Sequence, residues 1–460
     1  MRAPAEVVAP AKVAIVTLGC PKNAIDSEGL GGLLAAGGHD VIESPEDADV
    51  VLVNTCGFID PARRETVEEV LDLAELKDVA LKGLIMTGCL VARAADDLAD
   101  SLPEVDAFVD FAAYGRVADI VGQVANGTLA ERIQGDPGTR FDPAWWDATI
   151  AASPRIRFGR APWAYVKIAE GCDRGCTFCA IPLMRGKFVS RAPETIVEEI
   201  RHLASQGISE ISLVSQDSVM WGRDTGAGEL KGLITKLEGI DGLKRVRLMY
   251  LHPQGVTVEL IDTMLESEVV VPYFDLSLQH VAPSVLKGMG RWGGRDRFEK
   301  MIGRIRAADS LAGVRSTFIM GFPGETDADA REVRSFIEDS ELDWIGVFTY
   351  SREEGTRSHD MDAQVDPSAA RERSEMVSVA AENAMGRRAS SLIGHRFEVL
   401  AERYDIDEKA WIGRSQREAP EVDGEISFES TQPVSVGDYL EVEITGANGA
   451  DLSGAVTLPG

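Results

Sequence analysis

Residues Tyr165–Arg191 read YVKIAEGCDRGCTFCAIPLMRGKFVSR. The stretch opens inside a short apolar run, Ala164–Ala169, of the kind that forms a buried parallel strand. A loop follows at once, with Cys172, Cys176 and Cys179 spaced x3 and x2. That spacing puts three thiolates on one short loop, and soft thiolates select zinc, copper or iron-sulfur clusters. A closed zinc site needs a fourth Cys or His, and the nearest histidine in sequence is His202. A zinc site completed from afar is the competing reading. Three ligands around four irons would leave one iron open to a small molecule.

Downstream, Glu210–Ser215, Arg245–Leu251, Tyr273–Leu278, Val314–Met320 and Trp344–Tyr350 are further strand-like runs with helical segments between them. Six strand-helix units predict an incomplete β/α barrel, because eight close the usual one. Active sites of such barrels lie at the C-terminal strand ends, where the cysteine loop falls. Asp366–Arg388 reads as a charged helix leading out. Beyond it Phe397–Leu400, Ala410–Arg414, Glu425–Phe428 and Tyr439–Ile444 predict a small all-β, barrel-like module.

Upstream, Lys12–Leu18, Asp49–Asn54 and Gly83–Thr87 alternate with helical patterns such as Pro61–Leu76, predicting a doubly wound α/β domain. Cys20, Cys56 and Cys89 each fall just past one of those strands, at intervals of 36 and 33 residues. Open α/β sheets bind ligands at that edge, so three distant thiols can meet. A buried cysteine alone is an ordinary small hydrophobe; three at equivalent strand ends are not. From Gly127 to Arg160 the rhythm is lost, and GDPGTRFDPAWWD (Gly135–Asp147) reads as linker. The expected organisation is therefore α/β throughout its larger part: an N-terminal domain at 10–127, a linker at 128–160, a barrel core at 161–388 and the β module at 389–460.

The chain has 460 residues, 44% hydrophobic and 27% charged, as ordinary globular proteins do. No apolar run approaches the roughly 18 residues of a membrane helix, and Pro10 and Lys12 interrupt any signal-peptide core; a cytosolic protein is expected. Six cysteines are too few for a disulfide scaffold. The net charge is −28, which repels phosphate backbones and favours a basic partner, or merely solubility.

The segment Gly171–Arg191 resembles the signature of radical S-adenosylmethionine enzymes. TLGCPKNAIDSE (Thr17–Glu28), NTCGFI (Asn54–Ile59) and TGCL (Thr87–Leu90) resemble the three cysteine motifs of the methylthiotransferase N-terminal domain. SLVSQD (Ser212–Asp217), LSLQH (Leu276–His280), GFPGET (Gly321–Thr326) and YSREEGT (Tyr350–Thr356) match in the same order, and the last module resembles a TRAM domain. The resemblance covers nearly the whole chain; Ser277, where the family pattern leads one to expect proline, is a modest departure. It implies two 4Fe-4S clusters and S-adenosylmethionine as cofactors. Cys172, Cys176 and Cys179 would be the catalytic cluster's ligands, and Cys20, Cys56 and Cys89 would hold an auxiliary cluster carrying the sulfur to be transferred. One S-adenosylmethionine would methylate that sulfur and a second would supply the radical. An electron donor such as flavodoxin or ferredoxin is implied as well.

Other candidates have two readings each. Gln216 and Asp217 are placed to meet the cofactor's polar groups, or to cap a helix. Gly321 and Gly324 would bring backbone to the cofactor, or simply make a turn. Arg185 and Arg191 would meet a carboxylate of cofactor or substrate, or lie on the surface. His280 is a ligand, a proton carrier or a structurally bonded histidine.

Methylthiotransferases act either on adenosines of transfer RNA or on an aspartate of small-subunit ribosomal protein S-twelve. Pro-Lys-Asn after Cys20 and Gly-Phe-Ile after Cys56 resemble the second, RimO branch. Independently of that likeness, residues 389–460 carry five Lys or Arg against fourteen Asp or Glu, a net of −9, where an RNA-gripping module ought to be basic. The expected substrate is the basic ribosomal protein, with hydrogen removed from the aspartate β-carbon, and no direct transfer RNA binding. The rival functions are a transfer RNA methylthiotransferase and a non-enzymatic iron-sulfur carrier.

Overall fold

Six short runs rich in valine, isoleucine and leucine build one parallel sheet: β1 (Lys12–Thr17), β2 (Asp40–Ile42), β3 (Val50–Thr55), β4 (Gly83–Gly88), β5 (Ala107–Val109) and β6 (Ile133–Gln134). The computed structural model describes residues 10–135, 143–152 and 155–457. Strand order is β2-β1-β3-β4-β5-β6, so the winding reverses between β1 and β3. Helices α1 (Pro21–Ala36), α2 (Asp60–Ala74), α3 (Cys89–Ser101) and α4 (Val117–Ala125) make the crossovers. β3 and β4 are buried along their whole length, as a sheet covered on both faces requires. Val51, Val53, Val70, Leu84, Met86, Leu90 and Phe108 meet in the core on the α2–α3 side.

Two elements lie in the stretch read as linker: β6, and helix α5 (Pro143–Ala152). Residues 136–142 and 153–154 of that stretch lie outside the described residues. Trp146 of α5 is fully buried and fills the space at Gly29, where a Cβ would stand 2.1 Å from its ring. The Ile156 amide donates to Glu28 O at 2.9 Å. Gly, Pro and Asp dominate the composition here, but the buried indole decides the structure.

The chain divides into two compact units, Met1–Arg160 with Ala169–Asp173 and Cys179–Arg191, and Ala161–Ile168 with Arg174–Phe178 and Ala192–Gly460. It starts the second unit with β7 (Trp163–Lys167), then supplies the first with the antiparallel pair β8 (Ala169–Glu170) and β9 (Val189–Ser190) around helix α6 (Ile181–Arg185). The second unit continues through α7 (Pro193–Ser205), β10 (Glu210–Val214), α8 (Leu230–Leu237), β11 (Arg245–Leu248), α9 (Val258–Glu266), β12 (Tyr273–Gln279), α10 (Pro283–Gly288), α11 (Arg295–Ala308), β13 (Gly313–Met320), α12 (Asp327–Asp339) and β14 (Trp344–Thr349). Its parallel sheets β7-β10-β11 and β12-β13-β14 are joined by bridges Val246–Val270 and Leu251–Leu276, giving the expected six-stranded partial barrel.

Helix α13 (Pro367–Ser390) leads to a closed barrel of β15 (Arg396–Asp405), β16 (Ala410–Arg414), β17 (Ile426–Glu429), β18 (Tyr439–Asn448) and β19 (Asp451–Val456). Phe397, Val399, Ile426, Phe428, Val442 and Leu452 fill it. Beneath it the fully buried Glu210 accepts from Arg414 at 2.7 Å and lies 3.6 Å from Arg247 and 3.9 Å from Arg245. Burial pushes the Glu210 carboxyl up, but Arg414, Arg247 and Arg245 together bring it below its ordinary value. Arg247 also donates to Gln416 O at 2.9 Å, and Tyr165 donates to Pro420 O at 3.0 Å.

Candidate active site

β1, β3 and β4 end side by side, and the chain leaves each with a cysteine: Cys20 caps α1, Cys56 follows β3, and Cys89 begins α3. Cys20 and Cys56 flank the winding reversal, the crevice where doubly wound sheets bind ligands. The backbone is drawn in tightly. A Cβ on Gly19 (φ +97°) would stand 2.7 Å from the Cβ of Cys56, and one on Gly57 would stand 2.7 Å from Cα of Leu90. Asn23 ties the strand ends together, donating to Leu18 O at 2.8 Å and Thr55 O at 3.0 Å. Burial pushes the Cys89 thiol up to about 11 against the pull of Arg185, and raises Cys56. Charge on Cys20 acts on both, so the thiols feel one another.

Arg185 is 3% exposed. Its Nε donates to the Cys89 Sγ at 3.1 Å, Nη1 to Asp26 Oδ2 at 2.8 Å and Glu170 Oε2 at 3.0 Å, and Nη2 to Asn23 Oδ1 at 2.8 Å. Its guanidinium also lies 4.7 Å from the ring centre of Phe111. The carboxylates it meets in this structure are the protein's own, Asp26 and Glu170. Arg191 is likewise buried and paired with Asp147. Sequence reasoning missed Asn23 and Asp26; their signal is two polar residues in the first turns of a helix that starts at a strand end.

Within the first unit, the flanks of the second cysteine group are fixed by β8–β9 pairing, by Cys172 N donating to Gly186 O at 3.1 Å, and by Phe188 N donating to Asp173 Oδ1 at 3.1 Å. Cys179 also belongs to that unit, and Cys176 to the second. There, Arg174–Phe178 is held by contacts from several parts of that unit. Arg174 pairs with Asp217, just past β10, at 2.5 Å; Thr177 donates to Met289 O and Gly288 O, each at 2.9 Å; and Ser358 N donates to Thr177 O at 2.9 Å. Phe178 packs against Val285, Met289 and Phe322. Arg291, unforeseen from sequence, donates to the Cys176 Sγ at 3.5 Å and to Ser277 O. His252 is pushed down to about 2 by burial and by Arg291 and Arg174, so its ring is neutral at physiological pH. Burial raises the Asp217 carboxyl in spite of Arg174; Gln216 beside it is half-buried.

The GFPGET turn is held from inside. Gly321 N donates to the buried Glu325 at 2.8 Å and Gly324 N to Ala363 O at 2.7 Å. Both glycines have positive φ, and a Cβ on Gly321 would stand 2.4 Å from that of Ala370. Turn geometry accounts for these two residues. His280 accepts from Ala282 N at 3.0 Å and lies 3.6 Å from Glu325, a structurally bonded histidine.

No disulfide joins any of the six cysteines. Among the described residues no group of three potential ligands closes on a single metal ion. What fits an iron-sulfur cluster is the donor chemistry: two all-thiol triples, each with an arginine N–H on one sulfur, which hydrogen-bonds the anionic ligands such clusters require.

A family model described as "Uncharacterized protein family UPF0004" matches residues 12–110, the "Radical SAM superfamily" matches 166–337 and the "TRAM domain" matches 393–457. The ribosomal protein uS12 methylthiotransferase RimO of Streptomyces griseus subsp. griseus is 39% identical over 475 residues, covering 96% of each chain. That of Kineococcus radiotolerans is 40% identical over 467 residues, again covering 96% of each. That of Heliobacterium modesticaldum is 39% identical over 463 residues, covering 100% of this chain and 98% of its own. Among solved structures, the radical S-adenosylmethionine methyltransferase TsrM from Kitasatospora setae, with cobalamin and a 4Fe-4S cluster bound, is similar with a TM-score of 0.54 at 13% identity, over 76% of this chain and 74% of that one. That is a likeness of fold.

Proposed function

The chain belongs to the RimO family of ribosomal protein uS12 methylthiotransferases, within the radical SAM superfamily, and on that premise we propose that it replaces a hydrogen on the β-carbon of an aspartate of that ribosomal protein with a methylthio group. The observation that carries this reading is identity of 39–40% with RimO relatives across 96% of the chain. Cys172, Cys176 and Cys179 would hold one 4Fe-4S cluster and Cys20, Cys56 and Cys89 the other. When bound, the clusters and two S-adenosylmethionine molecules supply the electron, the radical source, the sulfur and the methyl group.

The chain's own residues set the frame for that chemistry. Arg174, paired with Asp217, braces the Arg174–Phe178 segment that carries Cys176, and Asp217 and Gln216 would meet the cofactor's polar groups. The neutral His252 adds no charge to Arg174 and Arg291 beside it. An electron donor such as flavodoxin or ferredoxin completes the requirement, and the cytoplasm is where all these partners meet.

Charge supports the protein substrate over RNA. The four arginines of the last module are all committed to carboxylates: Arg396 to Glu441 and Glu443, Arg403 to Glu425, Arg414 to Glu210 and Glu402, Arg417 to Asp343. Lys409 alone is added to these, on a hairpin with Asp405, Asp407 and Glu408. Among the described residues this module thus offers no basic strip for phosphates, while its acidic face suits a Lys- and Arg-rich protein.

Mass spectrometry of ribosomal proteins and transfer RNA from cells with and without the gene tests the reading. The expected result is an aspartate of uS12 that loses its methylthio mass when the gene is removed. An unchanged aspartate, with a methylthioadenosine lost from transfer RNA, would overturn the substrate and leave the reaction class standing.

A further inference from the structure

We propose that Arg185 is a positioning residue of the Cys20–Cys56–Cys89 cluster, fixing the Cys89 sulfur and raising that cluster's reduction potential. The inference rests on the cluster assignment above and concerns the chain's own residues. Arg185 lies six residues past Cys179, yet its Nε–H is aimed at Cys89, 96 residues upstream. The rest of the fork is spoken for: Asp26 and Glu170 share Nη1, and Asn23 takes Nη2. With both ends held, the guanidinium plane is fixed and Nε has one acceptor to face.

As a stabilising device a buried arginine between two buried carboxylates is weak, since desolvating three charges consumes most of what their attraction returns. Its use lies in what it faces. Hydrogen bonds to ligating sulfur and positive charge nearby both favour the electron-rich state of an iron-sulfur cluster. Asp26 and Glu170 moderate that charge, and lysine, lacking the fork, cannot hold both ends and reach the sulfur. Glu170 and Arg185 bracket the second cysteine group in sequence, so the segment that carries one triple also sets the surroundings of the other.

The test is an EPR-monitored redox titration of full-length chain carrying C172A, C176A and C179A, reconstituted anaerobically with iron and sulfide so that one cluster remains. In this background R185K is expected to shift the midpoint potential downward. E170Q, which keeps the arginine and removes one compensating anion, is expected to shift it upward. A cluster that forms in both variants at the parent's potential overturns the proposal. Should R185K take up no iron, E170Q decides alone: an upward shift supports the role and an unchanged potential removes it. If the background chain itself binds no cluster, the assignment of Cys20, Cys56 and Cys89 has failed, and the role of Arg185 falls with it.

Discussion

Gly19 turns the chain from β1 into α1 at φ +97°, with the place of a Cβ only 3.0 Å from the Sγ of Cys56. A side chain there meets two penalties, the left-handed backbone, about 1–2 kcal/mol, and a collision with a ligand. G19A is therefore expected to remain folded by circular dichroism while losing iron from the first cluster, measured per chain in the C172A/C176A/C179A background. Iron content equal to the parent's would contradict the tight approach. At this scale the sequence is informative where residue type and spacing coincide, as for the six cysteines. It is silent where the partner is remote: nothing local to Arg185 points to Asp26 or Cys89. The glycines of GFPGET show a third case, in which the turn alone already requires the residue type, both having positive φ.

Helix α12 begins with a reciprocal cap: Thr326 Oγ1 accepts from Asp329 N at 3.3 Å, and Asp329 Oδ2 accepts from Thr326 N at 2.8 Å. T326A is expected to cost about 1 kcal/mol, read as a lowered midpoint of chemical denaturation with cluster content unchanged. A loss of iron would mean that the GFPGET turn bears on the site more directly than its internal bonding implies. Elements of this length were legible. Each barrel strand carries enough β-branched and apolar residues to stand out, and α13 announces itself by charge. The elements that escaped are short or atypical: β2 and β5 have three residues each, β6 has two, and β19 is DLSGAV, without alternation. β19 exists because it closes a ring, pairing parallel with β17 and antiparallel with β18, a demand of the barrel that no local pattern encodes.

Across the second unit, the C-terminal barrel is joined to the β/α barrel by charges buried on both sides. Asp423 accepts from Tyr273 at 2.7 Å and from Ala419 N at 2.8 Å and lies 3.1 Å from Arg315. Burial, outweighing Arg315, raises its carboxyl from 3.8 to about 6. The folded form thus holds the proton more tightly than the unfolded chain does. Its contribution to stability is complete below about pH 4 and is lost as pH rises through about 6, by about 3 kcal/mol. D423N removes the titration, so the stability difference between parent and variant should fall over that interval in urea denaturation; a pH-independent difference would contradict the shift. Glu210 extends the same seam, with Arg245, Arg247 and Arg414 around it. This seam has a practical consequence for dissecting substrate choice. Truncating the chain before residue 389 would not yield a catalytic core lacking a recognition module. It would open the underside of β10 and β11 to water and strip Glu210 of Arg414, so lost activity would report a damaged barrel. Exchange of exposed side chains on an intact module is the cleaner route to what that module recognises.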